Sequence, residues 1–259
     1  MNVYGLTDRG IVREANEDSI GISCLKNGIT VAVVCDGMGG AAGGRIASEI
    51  AEETFMSAVL SHIGEIEAAK FDGKKIREAL ADGVAKANAA VIARAREDLS
   101  LFGMGCTLCA IIYCESKSRL YYANVGDSRL YMITRRAIKQ LTKDHSYVQM
   151  LVDSGEITRE QAQIHPQKNL ITKALGIKDE VEPDISERKI YNNKWGCHFL
   201  LCSDGLHGLI KEEKLGDVAR SEKSIHEKIF TYVRLANDAG GYDNISVILL
   251  STKETEVGA

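Results

Sequence analysis

The sequence predicts an α+β fold built on antiparallel sheets. Strand-like and helix-like segments come in blocks rather than in strict alternation. Several apolar, β-branched runs also follow one another too closely for the dozen-residue crossovers that parallel pairing needs. The chain has only two prolines in 259 residues, Pro166 and Pro183, and no Ser/Gly/Pro-rich linker, which predicts one domain over 1–259 with insertions.

The first third opens with three short strands, VYGLT, SIGISCL and TVAVVCD, punctuated by turn residues. After the glycine-rich GMGGAAGG, Ile46, Ile50, Thr54 and Ala58 recur at helical spacing. A second helix carries Ile76, Leu80, Val84, Ala87, Val91 and Ala95. The stretch from about Ser61 to Asp72 between them reads as a connecting turn. Next come CTLCAIIYC, RLYYANVGD, SRLYMIT and AIKQLT, whose short separations predict successive antiparallel hairpins. From His145 to about Asp184 the pattern is polar and irregular, with short helical pieces at SYVQMLVDSG and TREQAQI, as expected of a surface insertion over a site. A strand CHFLLCSD, helices near Lys211–Ala219 and Ile225–Ala236, and a last strand ISVILL complete the chain.

Composition narrows the function classes. Hydrophobic residues at 45% against 26% charged give an ordinary globular balance, and a net charge of −4 offers no cationic field for nucleic acid. There is neither a signal-peptide pattern nor an apolar run long enough for a bilayer, so a cytoplasmic location without membrane association is expected. The seven cysteines lie mostly within apolar runs and suit reduced, buried thiols. Cys106 and Cys109 form a C-x-x-C, but three residues apart on a strand they point to opposite faces and cannot chelate together.

Three apolar runs end in an aspartate: VAVVCD at Asp36, YYANVGD at Asp127 and FLLCSD at Asp204. A fourth, Asp243, directly precedes NISVILL. Any one could be a simple turn, since Asp-Gly at Asp36 and Asp204 also suits a hairpin. Four recurrences beside apolar strands favour a carboxylate cluster, which needs a hard cation such as Mg²⁺, Mn²⁺ or Ca²⁺ to ionise fully. GMGGAAGG lacks the ending of a P-loop and the dinucleotide spacing. Near the N-terminus, Arg13 could grip phosphate with its planar fork while Glu17 and Asp18 hold metal-bound waters; a solvated turn of mixed charge is the alternative.

Eight ordered motifs then carry a resemblance that extends from Thr7 to Val247: Thr7-Asp8-x-Gly10-x-x-Arg13-x-x-Asn16-Glu17-Asp18, Asp36-Gly37-Met38-Gly39-Gly40, Gly105-Cys106-Thr107, Val125-Gly126-Asp127-Ser128-Arg129, Leu141-Thr142-x-Asp144-His145-Ser146, Ile171-Thr172-Lys173-Ala174-Leu175-Gly176, Ser203-Asp204-Gly205 and Asp243-Asn244-Ile245-Ser246. Together they resemble the bacterial form of the metal-dependent protein phosphatases of type 2C. The resemblance implies a four-layer αββα sandwich of two antiparallel sheets flanked by helices, with a metal centre at one end. It implies that Asp36 bridges two Mn²⁺ or Mg²⁺ ions, that the Gly37 carbonyl joins one, that Asp204 and Asp243 complete the other, and that Asp127 with Asp204 holds a third. Arg13 would bind the substrate phosphate, with Glu17, Asp18 and Asn244 around the ligands, and residues 145–184 would form a flap.

The expected reaction is hydrolysis of phosphoserine and phosphothreonine on proteins by a metal-bound hydroxide, opposing a Ser/Thr kinase, in a monomeric enzyme. Met38 stands where eukaryotic members carry a histidine, so another proton donor, such as metal-bound water, is needed. Cys106 and Lys173 replace a threonine and an arginine of the motifs. The alternatives are a catalytically weak regulatory module and a phosphatase of a partner-switching regulator. No C-x5-R supports a cysteine phosphatase. His145 is expected to fix the base of the flap, and His207, which follows Ser203-Asp204-Gly205-Leu206, could stand behind the ligands.

Overall fold

The computed structural model describes residues 2–39, 43–190 and 196–252; Gly40, Ala41 and Ala42 of the glycine-rich run lie outside them. In chain order the elements are β1 (Asn2–Asp8), β2 (Asp18–Cys24), β3 (Ile29–Met38), α1 (Gly43–Ser61), α2 (Ile63–Ala68), α3 (Gly73–Glu97), β4 (Gly105–Cys106), β5 (Leu108–Cys114), β6 (Arg119–Val125), β7 (Arg129–Ile133) and β8 (Ile138–Gln140). Then follow α4 (Tyr147–Asp153), α5 (Arg159–Gln163), β9 (Asp184–Lys189), β10 (His198–Cys202), α6 (Asp204–His207), α7 (Glu212–Arg220), α8 (Ile225–Asp238) and β11 (Ile245–Ser251).

Two antiparallel sheets result. One has the order β1-β11-β10-β7-β8; the other has the order β2-β3-β5-β6-β9, with β4 added beside β3. The period-2 alternation of each strand builds three apolar layers from them. Val31, Val33 and Cys35 face α1 and α3, where Phe55, Val59, Leu80 and Val84 are fully buried. Ala32 and Val34 face the other way, toward Leu201, Ile248 and Leu250 between the sheets. Leu200, Val247 and Leu249 turn outward under α7 and α8. Helix, sheet, sheet and helix thus stack as the expected four layers. Helices α3 and α8 begin where polar side chains take the orphan N–H groups: Asp72 accepts from Lys74 N at 3.1 Å, and Ser224 and Glu227 form a reciprocal capping box at the start of α8.

Several expectations need correction. The segment Ser61–Asp72 contains α2, not only a turn. Cys24 is exposed rather than buried, whereas the other six thiols are buried. Cys106 and Cys109 do face opposite layers. β6 and β7 are not a hairpin. Although only Gly126, Asp127 and Ser128 separate them, β6 pairs with β5 and β9 in one sheet while β7 pairs with β10 and β8 in the other. The chain changes sheets there, and that passage carries one of the aspartates.

Candidate active site

The acids gather where the two sheets meet at one end. Antiparallel register sets Asp18 of β2 opposite Asp36 of β3. β3 continues two residues beyond Asp36, so this carboxylate lies within the strand rather than at its end. Ala32 and Val34 point between the sheets, and Asp36 extends that face to the point where the apolar layer stops. Asp204 opens α6 directly after β10, and Asp243 precedes β11 in the opposite sheet. Asp127 sits in the passage between sheets.

Hydrogen bonds fix these positions across the seam. Ser203 Oγ donates to Asp18 Oδ2 at 2.8 Å and accepts from Ser246 N at 2.9 Å, tying one sheet to the other. Thr107 Oγ1 accepts from Asp36 N at 3.0 Å and meets Ser128 Oγ at 2.7 Å, while Thr107 N donates to Asp36 O at 2.8 Å. Gly37 has no room for a side chain: a Cβ would lie 2.2 Å from Gly44 O and 2.3 Å from Glu17 O. Gly126 adopts φ +103°, and a Cβ there would lie 2.5 Å from the Thr107 methyl. Gly37 therefore lets backbone approach backbone, and Gly126 lets the Thr107 side chain pack against the chain, each beside a carboxylate.

The N-terminal loop is held by Asn244. Its Nδ2 donates to Arg9 O and Ala15 O, each at 2.9 Å, and its Oδ1 accepts from Glu17 N at 2.8 Å. That brace delivers Arg13 to the site, where its guanidinium pairs with Asp243 Oδ2 at 2.7 Å. Glu17 also accepts at its carbonyl from Ser48 Oγ at 2.5 Å, which locks the loop to α1.

Electrostatics show that the acids form one unit. Burial, reinforced by Asp204 and Asp243, raises Asp18 to about 7; burial and Asp204 raise Asp127 to about 8; and burial and Asp243 raise Asp204 to about 6. Asp36 is pushed well above the ordinary carboxylate range by burial and then by the charges of Asp18, Asp204, Asp127 and Asp243. Among the described residues no group of three or more His, Cys, Asp or Glu already stands in metal-ligand geometry. The donor chemistry nevertheless fits a hard divalent cation. The donors are oxygen only, they repel one another, and a +2 charge among them would restore full ionisation.

Two histidines brace the site. His145 Nδ1 accepts from Gly126 N at 3.0 Å, its backbone N donates to Gly126 O at 2.9 Å, and its Nε2 meets Asp184 Oδ2 at 3.2 Å. His145 is thus fastened beside Asp127. His207, with its proton on Nε2, donates to the Asp127 carbonyl at 3.0 Å, and burial holds it neutral by lowering its pKa well below the ordinary range. The partners of His207, Thr107, Ser128 and Ser203 are not legible in the sequence, although the last three stand inside the recognised motifs. Arg129 clasps Asp144 through Nε and Nη2, one edge of its fork, at 2.7–3.1 Å, and its Nη1 donates to Tyr131 OH at 2.9 Å, steadying the strand that leaves the passage.

Metal-dependent phosphatases are the class that such a sandwich and such a donor set define. A family model described as protein phosphatase 2C matches residues 11–246, and the chain belongs to that family. It is 36% identical over 258 residues to the serine/threonine phosphatase stp of Listeria welshimeri, covering 100% of this chain and 98% of the relative. The crystal structure of serine/threonine phosphatase Stp1 from Staphylococcus aureus superposes with a TM-score of 0.86 at 31% identity, over 97% of this chain and 95% of that one. A structure of the catalytic domain of the phosphatase PstP, in complex with two manganese ions, matches with a TM-score of 0.78 at 32% identity, over 96% of each chain.

Proposed function

We propose that the chain is a protein-serine/threonine phosphatase that removes phosphate from phosphorylated proteins in a metal-dependent reaction. The observation that carries this reading is the convergence of Asp18, Asp36, Asp127, Asp204 and Asp243 into one electrostatically linked set, with Arg13 at its rim. Likeness to named Ser/Thr phosphatases along essentially the whole chain supports it.

Asp36, central among the charges, is the residue suited to bridge two ions. The backbone at Gly37, Asp204 and Asp243 would complete their ligands, and Asp127 with Asp204 would hold a third. Mn²⁺ is the leading assignment because PstP binds it, and Mg²⁺ suits the same oxygen donors. When bound, such ions acidify water and neutralise phosphoryl charge. Arg13 would take the phosphate oxygens with its fork, leaving Asp243 to the cation. Glu17, Asp18 and Asn244 keep the surrounding hydrogen bonds in place. Met38 has no transferable proton, so the departing serine or threonine oxygen must be protonated by water. Residues 145–184 act as a flap over this one domain, anchored at His145.

The physiological setting that fits is a monomeric enzyme opposing a Ser/Thr kinase. Among the described residues no helix is long and apolar enough to cross a membrane. A module without chemistry is disfavoured, because every acid of the expected set is present in the chain. Hydrolysis of a phosphothreonine peptide should stop in a chelator and return with Mn²⁺, and Asp36→Ala should lower it by at least about a thousandfold. Chelator-resistant turnover would remove the basis of this reading.

A further inference from the structure

A phosphatase that binds a phosphoryl group through Arg13 must also meet the residues flanking the phosphorylated side chain. Ile11 and Val12, the residues just before Arg13, are 63% and 58% exposed, and Tyr242, just before Asp243, is 64% exposed. Isolated exposed aliphatics are common on protein surfaces. These three differ in lying within two residues of the Arg13–Asp243 ion pair.

They are also held in place. Ile11 N and Val12 N both donate to Gly241 O, at 2.9 and 3.1 Å. Gly10 N donates to Asp8 Oδ1 at 2.8 Å, and Asn244 takes the carbonyls of Arg9 and Ala15 on either side. The Tyr242 ring packs against Gly240, where a Cβ would come within 2.5 Å of it. Two loops that cross each other through main-chain hydrogen bonds thus present a fixed apolar edge. Its ordering cost is met in the free protein, which favours binding.

Resting on the reading of Arg13 as the phosphate grip, we infer that Ile11 and Val12, with Tyr242 beside them, form a docking edge for an apolar side chain of the phosphoprotein substrate, within two residues of the phosphorylated serine or threonine. The occupant is set by continuity and charge: a dianionic phosphate at Arg13 leaves the adjoining substrate residues over this edge. An apolar residue there would lose water along with Ile11 and Val12.

The test compares phosphothreonine peptides carrying leucine or serine at each of the two positions on either side of the phosphoresidue, using wild type and the double variant Ile11→Ser/Val12→Ser with Mn²⁺. Wild type should favour leucine over serine at one of these positions by about tenfold in kcat/KM, chiefly through KM. The double variant should lose that preference while its turnover of the all-serine peptide and its melting temperature stay unchanged. A wild-type enzyme indifferent to leucine, or a variant that keeps the preference, overturns the inference. Self-association of wild type that the variant abolishes would also overturn it, since a second copy would then cover the edge. Failure of wild type to hydrolyse any phosphopeptide would instead refute the proposed function.

Discussion

Replacing Asp18 with asparagine tests the electrostatic unit directly. Asp18 is buried opposite Asp36, accepts a hydrogen bond from Ser203, and is raised from 3.8 to about 7 because burial and neighbouring carboxylates penalise its charge. A carboxyl whose folded-state value lies above its unfolded value adds stability that is fully present below the unfolded value and is lost as pH rises through the folded one. For metal-free protein the window therefore opens near pH 4 and closes near pH 7. From pH 5 upward the remaining loss is about 3 kcal/mol, at roughly 1.4 kcal/mol per pH unit. Asparagine has the same shape and no such titration, so in chelator the melting temperature of Asp18→Asn should gain on wild type between pH 5 and pH 8. At roughly 2–4 °C per kcal/mol for a chain of this size, the gain is about 6–12 °C. Differential scanning fluorimetry at four pH values in chelator reads it. A difference between variant and wild type that does not change with pH would refute the reasoning. With Mn²⁺ added the order should shift, because the variant has lost an acceptor near the ions and should bind them about 10–100-fold more weakly.

Further outcomes follow from the braces around the ligands. His207→Ala leaves the Asp127 carbonyl without its 3.0 Å donor, and should weaken the weakest Mn²⁺ site about tenfold in calorimetric titration. His207→Gln, with an amide N–H near the position of Nε2, should recover much of that loss, and equal binding by all three proteins would contradict the assigned role. Gly126→Ala places a methyl against Thr107 at a backbone angle of +103°, and should cost about 2–3 kcal/mol in urea denaturation together with most of the activity. A fully stable and active Gly126→Ala would show that the close approach at Thr107 is dispensable.

The sequence disclosed the acids because each stands beside an apolar strand, and even a strand buried on both faces must end at a rim. It could not disclose the change of sheet at Gly126–Ser128. β6 and β7 are both largely buried on two faces, so their composition reads as strand without stating which sheet each joins. β9 escaped because DISERK has a single apolar residue and a mostly exposed edge, and α6 because four residues carry no helical period. His207 was opaque for another reason. Its partner lies 80 residues away, and a main-chain carbonyl leaves no mark in composition. Asn244 was placed near the ligands by its motif alone; that it braces three separate backbone groups of the N-terminal loop emerges only in three dimensions.

The passage between sheets also has a mechanical side. Asp18 and Asp36 belong to one sheet, Asp204 and Asp243 adjoin strands of the other, and Asp127 lies in the short span that joins them. A cation shared by such donors would act as a rivet through the open end of the sandwich, opposing any sliding of one sheet over the other. Substitutions deep in the inter-sheet layer, at Ile111, Phe199 or Ile248, would then be felt at the rim as misalignment of ligands, even though none of these side chains carries a charge.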